Sequence, residues 1–246
     1  MVGGPMRRSG SKGRVLRRLL WLAVACATTS PGFAQTFEDA LTNYNRRKYE
    51  VARQQFRILA ERGDLAAQTY LGRIYLGEND CREAVKWLQS AAARGYAPSQ
   101  SEIGNMYALA SCVPRDCSAS ESWFLKAAGQ HDIGAQYTLG RMYRTGECFP
   151  RDCAASESWF LKAAEQNEIA AQFELGHMYE IGECVSPDLV KAHMWFTLTA
   201  ANFSRDGGTL QRDANSERNM IAAQMTSAQL AEAAGLVQAW KPKERP

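Results

Sequence analysis

Apolar positions along the middle of the chain keep a helical beat. Leu71, Ile74 and Tyr75 stand three and four apart, as do Ile103, Met106 and Tyr107, then Leu139, Met142 and Tyr143, then Leu175, Met178 and Tyr179. Few stretches alternate with period two, and Ala, Leu, Glu, Gln and Lys are plentiful. The pattern therefore predicts helices, two per unit. Helix A carries A-Q-x-x-L-G-x-M-Y and helix B carries S-E-S-W-F-L-K-A-A.

The units are copies. Cys112 to Gln130 and Cys148 to Gln166 lie 36 residues apart and agree at 16 of 19 positions. Trp87, Trp123, Trp159 and Trp195 keep the same spacing of 36. Each Leu/Ile-Gly pair (Leu71-Gly72, Ile103-Gly104, Leu139-Gly140, Leu175-Gly176) is followed by a Tyr three residues on. Self-similarity at such a period marks a repeat array. A glycine inside a helix costs about 1 kcal/mol relative to Ala, so its recurrence points to a partner helix that must come close. Asp116 and Asp152 stand where helix B begins and suit N-caps; Gly95 suits a C-terminal stop. The Trp/Phe pair of helix B is expected to supply most of the buried area.

The ends read differently. Residues 35–64 look like a degenerate first repeat, with Phe56 in place and Gln55 where Trp belongs. The array proper runs over 65–201. Residues 202–240 predict a capping helix pair, an amphipathic stretch near Asp213–Met225 and Ala228–Trp240 either side of Thr226-Ser227, since an array end otherwise exposes core. Residues 241–246 read as a tail. Residues 1–34 carry a basic run, then the apolar Leu19–Ala27, then Gly32-Phe33-Ala34 before Gln35. Basic, apolar, small-x-small is the order of a secretory signal peptide. Cys26 opens a lipoprotein alternative and Arg17-Arg18 a twin-arginine one. No later segment is long and apolar enough to span a bilayer.

That leader changes the charge. The whole chain is +3, from 29 basic and 26 acidic residues. Six of the basic residues and none of the acids lie in residues 1–34, leaving 23 against 26, or −3. The folded part lacks the basic surplus that nucleic acid demands. An exported, periplasmic or secreted protein is expected.

Export bears on the cysteines. Without Cys26 six remain, an even number for an oxidising compartment. Cys81, Cys117 and Cys153 stand six residues before a Trp, while Cys112, Cys148 and Cys184 stand eight after a Gly. Bridges within a turn would join Cys112 to Cys117 and Cys148 to Cys153, stranding Cys81 and Cys184 repeats apart, beyond the roughly 7 Å limit between Cα atoms. Bridges between neighbouring turns (Cys81–Cys112, Cys117–Cys148, Cys153–Cys184) use all six. The ladder is the favoured expectation, with the local loops as its alternative. A zinc site is disfavoured, because the C-x4-C spacing is loose and no nearby His completes a set.

A-Q-x-x-L-G-x-M-Y, a turn, then D-x-x-x-S/A-x-x-W-F-x-K-A-A resembles the Sel-1-like repeat, a relative of the tetratricopeptide repeat, over about Thr36 to Ala201. The resemblance implies an all-α, right-handed α-solenoid with a C-terminal helical cap, helices A lining a concave face that holds a protein or peptide. Cysteine-rich members of that family usually bridge helix B to the next helix A, so their pairing does not transfer to cysteines at the A–B turn.

No catalytic constellation is present: His131, His177 and His193 fall at unrelated repeat positions, and no G-x-S-x-G, phosphate loop or H-E-x-x-H occurs. No cofactor or metal is called for. What remains is the face of helices A. Thr69, Ser101, Tyr137 and Phe173 are expected to point outward there, with Arg73, Asn105, Arg141 and His177 beside them, then Arg144 and Glu180. These positions vary while the core repeats. Tyr137, Arg141 and Phe173 are the best anchor types, because aromatic residues and Arg dominate interface energies. Arg73, Asn105, Arg144 and His177 complete the candidate set. The family resemblance also leaves open a cell-wall-directed or β-lactam-recognising hydrolase, against which the missing nucleophile–base pair counts.

Overall fold

The computed structural model of the protein describes residues 36–202 and 208–242. The predicted signal peptide and the end of the tail lie outside those residues. Among the described residues there are twelve helices and no strand: α1 (Phe37–Asn45), α2 (Tyr49–Glu61), α3 (Leu65–Gly77), α4 (Cys81–Ala93), α5 (Ala97–Leu109), α6 (Cys117–Gly129), α7 (Ile133–Thr145), α8 (Cys153–Glu165), α9 (Ile169–Ile181), α10 (Leu189–Ala201), α11 (Thr209–Ala222) and α12 (Ser227–Ala239). From α1 to α11 each packs on its neighbour in sequence, and α12 packs back on α10. The pairs α3–α4, α5–α6, α7–α8 and α9–α10 are four repeats of one hairpin, preceded by the hairpin α1–α2. No described helix is long and apolar enough to cross a membrane.

The core is one ring per repeat. Phe56, Phe124, Phe160 and Phe196 are fully buried, with Leu88 in the same slot of α4. In the four repeats each of these side chains is met by a glycine on the helix A before it, Gly72 under Leu88 and Gly104, Gly140 and Gly176 under Phe124, Phe160 and Phe196. A Cβ built on Gly140 would lie 2.6–2.9 Å from three ring carbons of Phe160, and one on Gly176 as close to Phe196. The recurrent glycine is thus a socket for the ring of helix B. The Ser156 hydroxyl donates to the Gly140 carbonyl at 2.8 Å, and Ser120 to Gly104 at 2.9 Å, fastening the same contact. The Trp half of the Trp/Phe pair behaves otherwise than expected. Trp87, Trp123 and Trp159 are only half-buried, each roofed by a lysine ammonium 4.8, 4.4 or 3.8 Å from a ring centroid. Trp195 alone is buried, because Trp240 from the cap lies 4.8 Å away, edge to face.

Helix ends follow the sequence. Asp80, Asp116, Asp152 and Asp188 cap the four B helices, each carboxylate accepting a backbone N–H three residues on. Thr226 caps α12 in a reciprocal box with Gln229. The preceding helix starts at Thr209, earlier than the expected Asp213, and Gln211 ties that first turn to the Asn202 carbonyl at 3.1 Å.

The turns inside the repeats differ in length. Residues 78–80 join α3 to α4, whereas 110–116, 146–152 and 182–188 join the later pairs. The longer turns carry Cys112, Cys148 and Cys184. Each meets the first residue of the preceding B helix: Cys81–Cys112, Cys117–Cys148 and Cys153–Cys184 are bonded, with Cα atoms 4.9, 5.3 and 4.7 Å apart. The within-turn pairs are not adopted. Arg115 and Arg151 reinforce two of these corners, donating to the Glu147 carbonyl and to Glu183, both at 3.2 Å.

Candidate functional site

The face opposite the B helices is built by the outer sides of α3, α5, α7 and α9. A polar thread first fixes their spacing. Gln68, Gln100 and Gln136 are buried and donate to the last carbonyls of the preceding B helix, Ala60, Ala92 and Ala128, at 3.1, 3.3 and 3.2 Å. Their amide oxygens accept from the residue capping the C-terminus of their own repeat's helix B. Gln130 reaches Gln100 and Gln166 reaches Gln136 at 2.8 Å, and Asn202 reaches Gln172 at 3.3 Å. In the first repeat that cap is Arg94, which turns instead to the Gly63 carbonyl at 2.8 Å. The buried Oε1 of Gln68 is left without a partner.

The expected binding residues divide. Thr69 and Ser101 do not point outward; they are 2% and 8% exposed. Tyr137 and Phe173, in the same slot, lie against Phe160 and Phe196 at 5.9 and 5.5 Å. Burial raises the Tyr137 hydroxyl pKa, and the Glu174 carboxylate it faces at 3.4 Å adds to the rise. His177 is half-buried, edge-on to Phe173 (4.5 Å) and Phe196 (5.2 Å), with Nδ1 3.1 Å from Glu180. Arg73 and Arg144 are committed to the next repeat, Arg73 to Glu102 and Arg144 to Glu174, each at 2.7 Å. Burial works against the Arg73 charge, but Glu102 more than offsets it and the pKa is raised. Arg141 is exposed, 5.9 Å over the Tyr137 ring, and Asn105 is half-exposed. Phe173 and His177 thus pack within their own repeat, Arg73, Arg144 and Tyr137 reach the next one, and Arg141 and Asn105 are open to solvent.

The open volume lies elsewhere on this face. A cavity of 390 Å³ spans α3, α5 and α7 and is lined by Thr69, Tyr70, Arg73, Tyr96, Ser101, Glu102 and Asn105 among others. The cavity opens where the repeat slot holds the small Thr69 and Ser101 rather than a ring, so a search for large anchor residues passes over it. The Gln thread was readable in the sequence, since Gln recurs at one repeat position from Gln68 to Gln172.

Among the described residues no group of His, Cys, Asp and Glu is arranged to hold a metal. His193 is buried enough to lower its pKa, with Arg218 pushing the same way, and its Nδ1 has no partner.

The Sel1 repeat pattern matches residues 65–96, 97–132, 133–168 and 169–202, one match to each of the four hairpins. The chain belongs to the Sel1 repeat family. Sel1 repeat proteins are in general scaffolds for protein interactions and are typically non-catalytic. Among solved structures, a protective antigen present in uropathogenic Escherichia coli strains and displaying an SLR fold is 25% identical, with a TM-score of 0.47 over 82% of this chain and 51% of that one. A Sel1 repeat protein from Oxalobacter formigenes is 23% identical, with a TM-score of 0.57 over 72% of this chain and 80% of that one, a likeness of fold. This chain thus spans about half the length of the first. No curated protein matches it.

Proposed function

We propose that the protein is a non-catalytic, exported scaffold that holds a protein or peptide on the concave face formed by its A helices, in the periplasm or outside the cell. The observation that carries this is the contrast between faces. The positions facing helix B repeat (Gly104, Gly140 and Gly176 under Phe124, Phe160 and Phe196), while their outward neighbours vary, as at Arg73, Asn105, Arg141 and His177, where only Arg occurs twice. A shared core with an individual surface suits recognition of one partner. The concave placement is supported by the approach of successive A helices, α3 to α5 and α5 to α7, as expected of an inner layer. Export is supported by the basic, apolar, small-residue leader and by three disulfides, compatible with an oxidising compartment.

The test is a pull-down from envelope extract with the oxidised chain, compared with Arg141→Glu and with Lys126→Glu on the B side. Partners lost on the first change and kept on the second support the reading. Partners that survive Arg141→Glu but not Lys126→Glu overturn the face. Retained label after incubation with labelled penicillin would overturn the scaffold in favour of a hydrolase.

A further inference from the structure

One repeat position holds Thr69, Ser101, Tyr137 and Phe173, each two residues before the Leu or Ile of the Leu/Ile-Gly pair. In the third and fourth repeats the slot is filled by the chain's own ring, laid against the Phe of helix B at 5.9 and 5.5 Å. In the first and second repeats it holds only a hydroxyl residue, and there the 390 Å³ cavity opens, with Thr69 and Ser101 in its lining. The fold thus displays twice what its open slots lack.

We propose that this cavity takes the side chain of a tyrosine or phenylalanine from a bound peptide, in the place the later repeats give to Tyr137 and Phe173. The inference rests on the reading of the A-helix face as the binding surface. Its size is at the lower end of ligand pockets, about 300–1,000 Å³. Tyr70 and Tyr96 line it, and aromatic rings favour edge-to-face and offset contacts with one another. The rim is already set. Arg73 is held by Glu102 at 2.7 Å and sits 5.2 Å over the Tyr70 ring, so little ordering is left for binding to impose. The rim carries two carboxylates, Glu102 and Asp132, against one guanidinium, Arg73, which is already paired with Glu102, so it disfavours a carboxylate, while a lysine brings no ring to set against Tyr70 and Tyr96. Asn105 on the same wall supplies a polar partner for a phenol hydroxyl.

The probe is the peptide acetyl-Gly-Gly-X-Gly-Gly-amide, titrated into the oxidised, isotope-labelled full-length mature chain and read by amide chemical shifts. With X as Tyr or Phe, the amides of Tyr96, Ser101 and Asn105 should shift saturably, and binding should be at least about fivefold weaker for X as Leu, Lys or Glu. Ser101→Tyr, which copies the third repeat, should weaken binding at least about tenfold while leaving the rest of the spectrum in place. Thr69→Phe, which copies the fourth, gives the same reading should Ser101→Tyr fail to fold. Equal response to all X, or Tyr and Phe binding unchanged in these variants, overturns the proposal. Should peptides move Arg141 and His177 regardless of X, the aromatic slot is refuted and the A-helix surface stands. Should no amide on that face move with any peptide, both are refuted.

Discussion

Gly140→Ala is the sharpest test of how the two helices of a repeat are joined. The added methyl would stand 2.6, 2.7 and 2.9 Å from Cδ1, Cε1 and Cγ of Phe160, where carbon atoms rest at about 3.5–4.0 Å. The Phe160 ring is fully buried and has nowhere to swing, so α7 and α8 must part by about 1 Å. Overpacking of this kind costs about 1–3 kcal/mol. Parting also stretches the buried Ser156–Gly140 bond of 2.8 Å, adding about 1 kcal/mol. Against this the helix gains about 1 kcal/mol of propensity. The net loss is about 2 kcal/mol, or about 4–8 °C in melting midpoint for a chain of this size. Two companions give the scale. At Gly104 the nearest ring atoms of Phe124 stand 3.1 Å from the built Cβ, so Gly104→Ala should cost less. At Gly129 nothing lies within 4 Å, so Gly129→Ala at the end of α6 should be neutral or stabilising. Thermal unfolding followed by circular dichroism at the helix band ranks the three. A Gly140→Ala protein as stable as the parent, or more stable than Gly104→Ala, would refute the socket.

Three further outcomes are expected. Arg94→Gln restores to the first repeat the amide that Gln130 and Gln166 supply elsewhere; satisfying Gln68 Oε1 should raise stability by about 1 kcal/mol, read as a higher urea midpoint. Replacing Cys117 and Cys148 together by Ser opens a loop of 31 residues, with an expected loss of about 3–4 kcal/mol, and peptide maps of the oxidised parent should join 117 to 148 and never 112 to 117. Burial first, and then the bond its hydroxyl donates to Glu121, push the Tyr143 pKa up to about 12 from 10.0. The folded state then holds its proton longer than the unfolded one, so this stabilisation is complete below pH 10 and drains away as the pH climbs toward 12. Urea midpoints should fall over that interval, and less steeply in Tyr143→Phe; identical slopes would remove the hydroxyl from the account.

Periodicity made the fold legible because the same physics is written four times. The Leu, Gly and Tyr of helix A, the Asp caps and the cysteine positions each recur in register, so a single reading is checked by its copies. Burial by residue type was a poorer guide. Trp and Phe are adjacent in helix B, yet a helix turns about 100° per residue, so one faces Gly and the other faces water under a lysine. The binding face was legible only in outline. Whether Tyr137 reaches for solvent or lies on Phe160 depends on the neighbouring helix, which the local sequence does not encode. Likewise Arg73 and Arg144 look free along the chain, and it is Glu102 and Glu174 of the next unit that engage them.

The staggered bridges also rewire the molecule as a tether. Cys81 and Cys184 are 103 residues apart along the backbone, about 350 Å if drawn straight. By way of the three sulfur links the shortest covalent route uses only the backbone from Cys112 to Cys117 and from Cys148 to Cys153, about 50 Å in all. A protease that cuts anywhere in 82–111, 118–147 or 154–183 leaves the two ends joined. Only the short exposed stretches around Pro114-Arg115 and Pro150-Arg151 can sever them. In an oxidising medium rich in proteases, the vulnerable part of this span has been narrowed to two loops.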